Sequence, residues 1–137
     1  MLRAAVLAAL VAAAAGAQAC GYCVEDKIAS TYDHAAVMRA LEAKHHVVFF
    51  HIDGPLAQDE KTRQALVAAA ESIAGVDRGS VRVKLETLTL ALAFDPGKAP
   101  LARLQAALEK KYASRKLTLM PLRIMETPGD LAAVRPR

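Results

Sequence analysis

Two cysteines are the whole thiol inventory of this 137-residue chain, and they stand together as Cys20-Gly21-Tyr22-Cys23. Two thiolates three residues apart can converge on one soft ion, and Cu(I), which accepts two or three sulfur ligands, suits them. A helix starting at this point would favour the thiolate form through its macrodipole. If Cys20 heads the processed chain, its α-amine is a further donor once deprotonated. The same spacing also serves an oxidised pair that closes a small loop in an oxidising compartment, or thiol-disulfide exchange with a partner. In thioredoxin-like proteins the redox C-x-x-C follows a strand, and no strand precedes it here. Val24 stands where a haem attachment motif requires His.

The next donors along the chain are His34 and Met38, four residues apart on a helical stretch and therefore on one side of it. Imidazole with thioether is a soft copper pair, although Met38 reads equally as core and His34 as a solvated edge residue. Along a helix, Cys23 and His34 are about 16 Å apart at about 1.5 Å per residue, so the two pairs cannot share one centre. His34 and Met38 would make a second site or one shared with a partner. His45 and His46 read as exposed loop or, less simply, as metal donors. His51 reads as a hydrogen-bonded core residue, and Met120 and Met125 as packing on the last strand. Asp59 and Glu60 suit a helix start without any catalytic role. There is no Ser-His-Asp arrangement, no Gly-rich phosphate loop and no H-E-x-x-H, so the dithiol is the one visible source of chemistry and no enzyme activity is expected.

The ends and the composition say where such chemistry would operate. Residues 1–19 carry one early Arg3, a short apolar run and Ala17-Gln18-Ala19, the pattern of a secretory signal peptide cleaved after Ala19. An exported, periplasmic protein is expected. Ala17 and Gln18 suit a lipobox poorly, so membrane attachment enters only if Cys20 is acylated. The formal net charge of +4 comes from scattered basic residues partly matched by acids. With no Trp and no Phe interleaved among Arg or Lys, nucleic-acid binding is not expected.

The elements that must position these residues follow from periodicity. Residues 20–45 hold the C-x-x-C and a continuous helix from Val24 to about Lys44, with Val24, Ile28, Thr31, Ala35 and Met38 along one stripe. His46 to Ile52 is a strand stopped by Asp53-Gly54-Pro55. Asp59 to Ala74 is a helix ended by Gly75. Val81 to Leu85 and Leu88 to Phe94 alternate as two half-buried strands around Glu86-Thr87. Pro100 to Tyr112 is a second amphipathic helix, and Leu117 to Met125 is a last strand whose Pro121 favours a sheet edge. The tail 127–137 is expected to be loosely held. The order over 46–126 is βαββαβ, a ferredoxin-like α+β domain: an antiparallel four-stranded sheet with two helices on one face. Phe50 and Ile52 should face those helices, while Val47, Phe49 and His51 point to the opposite face beside Ala91 and Ala93. That second face is too apolar for water, and the additional N-terminal helix is its natural cover.

The run "FFHIDG", a helix ending "SIAGV", then "VRVKLETLTLALAFDP" and "LARLQAALEKKY" resembles the heavy-metal-associated domain of copper chaperones, copper-pumping ATPases and periplasmic mercury-binding proteins. The resemblance spans roughly 47–125 and implies the ferredoxin-like fold and a metal-ion cargo. It departs from the family at the metal loop. Where the family has G-M-x-C-x-x-C after the first strand, this chain has Gly54-Pro55-Leu56-Ala57-Gln58-Asp59-Glu60, with Ala57 and Glu60 at the cysteine positions. No ligand carries over from the loop, and Tyr112, near that loop in the family, reads as a packed helix-end aromatic.

The expectation is therefore a periplasmic metallochaperone or buffer that binds copper as Cu(I) through Cys20 and Cys23, with His34 and Met38 as further candidate ligands. A copper-donating or copper-receiving protein would be its partner. Two other readings remain open at this level: a thiol-disulfide protein acting in copper-site assembly, and a binding module whose disulfide is structural.

Overall fold

The computed structural model describes residues 23–133. Cys20 and residues 1–19, expected from the sequence to be a signal peptide, lie outside them. The helix expected to run unbroken to Lys44 is two helices, α1 (Val24–Thr31) and α2 (His34–Glu42). Asp33 divides them. Its carboxylate accepts a hydrogen bond from the Ala36 backbone N–H at 3.1 Å, a capping arrangement that requires extended backbone at residue 33. The other carboxylate oxygen takes the Arg82 guanidinium at 2.8 Å. The Ala36 N–H and the Arg82 bond together hold the Asp33 carboxyl below its usual range.

β1 (His46–Asp53) follows, then α3 (Glu60–Glu71), capped by the Asp59 carboxylate on the Thr62 N–H at 2.7 Å. β2 (Arg82–Lys84) and β3 (Thr89–Phe94) form the hairpin, and α4 (Leu101–Tyr112) and β4 (Thr118–Met125) complete the domain. All pairings are antiparallel in the order β2-β3-β1-β4, which puts β4 and its Pro121 at an edge. This is the ferredoxin-like βαββαβ arrangement with extra N-terminal helical structure.

Strand alternation sorts the core into two layers. Val48, Phe50, Ile52, Leu90, Leu92 and Phe94 pack under Leu66 and Ala70 of α3 and Leu104, Leu108 and Tyr112 of α4. The phenol of Tyr112 donates to the Leu66 carbonyl at 2.8 Å, tying the two helices, and burial raises its pKa. On the opposite face Val47, Phe49, Ala91, Ala93 and Met125 pack under Ile28 of α1 and Val37, Ala40 and Leu41 of α2. The N-terminal helices thus cover the second apolar face. β3 is buried on both sides rather than half-buried, because each face has its own helical layer.

The edge strand and the segment after it each depart from regular geometry. β4 carries one residue more than β1 across their pairing: Phe49 faces Arg123 but Phe50 faces Pro121, so Leu122 is a bulge. After Met125 the chain makes a 3-10 turn over Pro128–Ala133, where a loosely held tail is expected from the sequence. The Asp130 carboxylate fixes it by accepting the Glu126 and Thr127 N–H groups at 2.7 and 2.9 Å.

Candidate metal centre

Cys23 is exposed and forms the N-cap of α1, where its thiol makes no capping hydrogen bond. Its partner in the C-x-x-C, Cys20, lies outside the described residues. What the structure settles is where the helix start is held. One turn after Cys23, the Lys27 ammonium donates to the Thr87 carbonyl at 2.8 Å and meets His51 Nδ1 at 3.1 Å. Ser30 Oγ lies 2.8 Å from Thr87 Oγ1. Toward β4, the Glu25 carboxylate binds the Arg123 guanidinium at 2.5 and 3.2 Å. The first turn of α1 is therefore stapled over the end of the sheet where β1 finishes and the β2–β3 turn lies.

The loop 54–59 reaches the same end. Gln58 Nε2 donates to the Leu85 carbonyl at 3.1 Å, in the turn that receives Lys27 and Ser30. The Ile52 N–H bonds the Leu88 carbonyl at 2.8 Å, closing that turn against β1. Gly54 is required here. Its φ is +127°, and a Cβ would come within 2.5 Å of the Lys116 carbonyl oxygen.

His51 is half-buried, as a strand residue beneath a helix should be. Burial, followed by the neighbouring Lys27 ammonium, lowers its pKa, although Asp53 and a hydrogen bond with the Leu88 backbone oppose the shift. Because an ammonium can only donate, Nδ1 of the neutral ring is the acceptor and the ring proton sits on Nε2. Both nitrogens are thereby committed.

The other donors are separated. His34 is exposed at the start of α2, with Nδ1 2.9 Å from the Tyr32 hydroxyl. Met38 is half-buried one turn later. His45 is not the exposed loop residue expected: it is half-buried, with Nδ1 at 2.8 and 2.9 Å from the Asp77 carboxylate oxygens and Nε2 3.8 Å from Asp95. The carboxylates sit on opposite sides of the ring, so they clamp the imidazole and do not converge with it on an ion. His46 meets the Phe94 ring edge-on. Met125 is fully buried as expected, whereas Met120 is 55 % exposed. Sequence reasoning misses the His45 clamp because Asp77 and Asp95 arrive from distant loops. Among the described residues no group of three or more His, Cys, Asp or Glu side chains could hold a metal. No helix among them is long and apolar enough to cross a membrane.

No family model matches the chain, and no curated protein matches it. Among solved structures, oxidized MerP from Ralstonia metallidurans CH34 is similar at 19% sequence identity, covering 56% of this chain and 96% of that chain with a TM-score of 0.45.

Proposed function

We propose that this chain is an exported copper-binding protein, a periplasmic Cu(I) chaperone or buffer, in which Cys20 and Cys23 form a dithiolate hook. One observation supports the reading most. The helix capped by Cys23 and the loop where heavy-metal-associated domains keep their cysteines converge on one hairpin turn, through Lys27 to Thr87 and Gln58 to Leu85. A dithiol moved to the N-terminus would thus still work at the end of the sheet that the sequence resemblance assigns to metal.

The chemistry rests on the donors. Thiolates are soft and suit Cu(I), and a two-coordinate ion leaves room for an entering ligand. Transfer proceeds by exchange: a sulfur or imidazole of the partner enters, and one cysteine sulfur leaves. An exposed Cys23 on a stapled helix presents the site without enclosing it. His34 and Met38 would be an independent, weaker site on α2. Competition of the reduced protein with a chromophoric Cu(I) chelator tests this reading, with Cys20→Ser/Cys23→Ser and His34→Ala/Met38→Leu as variants. Tight one-to-one binding that is lost only in the first variant supports the hook. Equal binding by the cysteine variant overturns it, and rapid exchange with a test disulfide in that event favours the redox reading.

A further inference from the structure

We infer that Lys110, Lys111, Arg115 and Lys116 form a docking patch for an anionic phospholipid surface. These four cations fall within seven residues, from the last turn of α4 through the 3-10 turn Ala113–Arg115, and all four are exposed. Among the described residues none of them is in an ion pair, whereas Arg63, Arg82 and Arg123 each have a carboxylate. Lys110 and Lys111 complement the negative end of the α4 dipole. Arg115 and Lys116 lie beyond the helix, so that effect does not account for them.

The nearest carboxylates are committed elsewhere. Glu109 accepts from the Leu119 N–H at 3.0 Å, and Asp59 caps α3 through the Thr62 N–H. The Thr62 N–H and hydroxyl hold the Asp59 carboxyl below its usual range, and the charges of Lys61 and Arg115 add to the shift. Exposed Lys61 is therefore on the same side and widens the patch. The backbone beneath is fixed: Tyr112 is buried and bonded to Leu66, the Lys116 N–H bonds the Ala113 carbonyl at 3.0 Å, and the Lys116 carbonyl packs against Gly54. Ala113 and Ser114, the exposed residues between the cations, are small, so nothing bulky holds the long side chains off a flat surface.

A bilayer fits this patch better than an acidic protein does. Protein interfaces draw most of their affinity from buried aromatic or apolar anchors, and the large hydrophobic side chains exposed among the described residues, Val24 and Met120, are not in this segment. A fluid anionic bilayer asks only for clustered charge within a Debye length. Such docking needs no acyl chain and does not depend on the metal reading.

The test uses chain 20–137, which holds the whole described fold without the apolar run before it, and vesicles of phosphatidylcholine alone or of equimolar phosphatidylcholine and phosphatidylglycerol. The parent should cosediment with the anionic vesicles only, and should lose binding as salt rises from about 0.05 to about 0.5 M and the Debye length shrinks. Lys110→Gln/Lys111→Gln/Arg115→Gln/Lys116→Gln should bind at least about tenfold more weakly, since each Lys or Arg near an anionic surface strengthens binding several-fold. Its Tm should match that of the parent, because the four side chains are exposed. Arg39→Gln/Lys44→Gln/Arg78→Gln/Lys98→Gln removes the same charge around the opposite end of the sheet and should bind nearly as the parent does. No binding by the parent, or equal weakening in both variants, would overturn the patch. Retention on polyglutamate without binding to vesicles would overturn the lipid surface in favour of an acidic protein.

Discussion

Among single residues, Lys27 ties together three parts of the corner: its ammonium joins α1 to the β2–β3 turn through the Thr87 carbonyl and to β1 through His51. Lys27→Met keeps the aliphatic stem and removes both bonds. A loss of about 1–3 kcal/mol is expected for hydrogen bonds from a charged donor, read from urea unfolding. The same contact sets a pH dependence. The folded-state pKa of His51 lies below its ordinary 6.5, so in the interval between the two values the unfolded chain binds more protons. Stability from this group is complete above 6.5 and is lost as pH falls toward the folded value. His51→Gln should flatten the fall in Tm on acidification, and Lys27→Met should flatten it in part, since desolvation of the ring remains. A Tm profile identical in parent and His51→Gln would contradict this assignment.

At the scale of elements, the break between α1 and α2 and the bulge in β4 do the positioning. Asp33 caps α2 and pairs with Arg82, so it fixes the angle at which α1 leaves the sheet's second face. Asp33→Ala should lower Tm, whereas Asp33→Ser, which retains a capping oxygen but drops the ion pair, should recover most of the loss. Equal losses would show that the Arg82 bond, not the cap, governs the break. Neither feature is visible as periodicity. The apolar stripe from Val24 to Met38 continues through residue 33, and the alternation of Leu117, Leu119 and Met125 continues through Leu122. An Asp inside a helical stripe is the one local hint, and it becomes decisive only once the Ala36 N–H needs a partner.

At the scale of the whole molecule, the protein is one sheet between two helical layers, and the N-terminal layer is both cover and carrier. Removing residues 24–42 would expose Val47, Phe49, Ala91, Ala93 and Met125 together, an apolar patch that a monomeric domain does not tolerate in water. The truncated chain should aggregate or bind a hydrophobic dye strongly. A soluble, cooperatively unfolding truncated monomer would mean that the second face is satisfied in some other way. The carrier role is a consequence of the cover role: a helix that must seal the sheet has a fixed start, and Cys23 stands at that start as its N-cap.

The sequence alone determined the βαββαβ order that follows the N-terminal helical segment, the hairpin around Glu86-Thr87, and the two faces of β1. Those depend on local chemistry and on the period-two pattern of Val47 to Ile52. It also determined that this apolar second face needed a cover and that the loop 54–59 after β1 has no cysteines to offer. Only the tertiary structure decided that His45 is clamped between Asp77 and Asp95, that Lys27 commits His51, and that Met120 lies opposite His51 and is exposed. These depend on residues distant in sequence meeting across the sheet, and on one extra residue in β4 that reverses the facing of what precedes it, information that no local pattern contains.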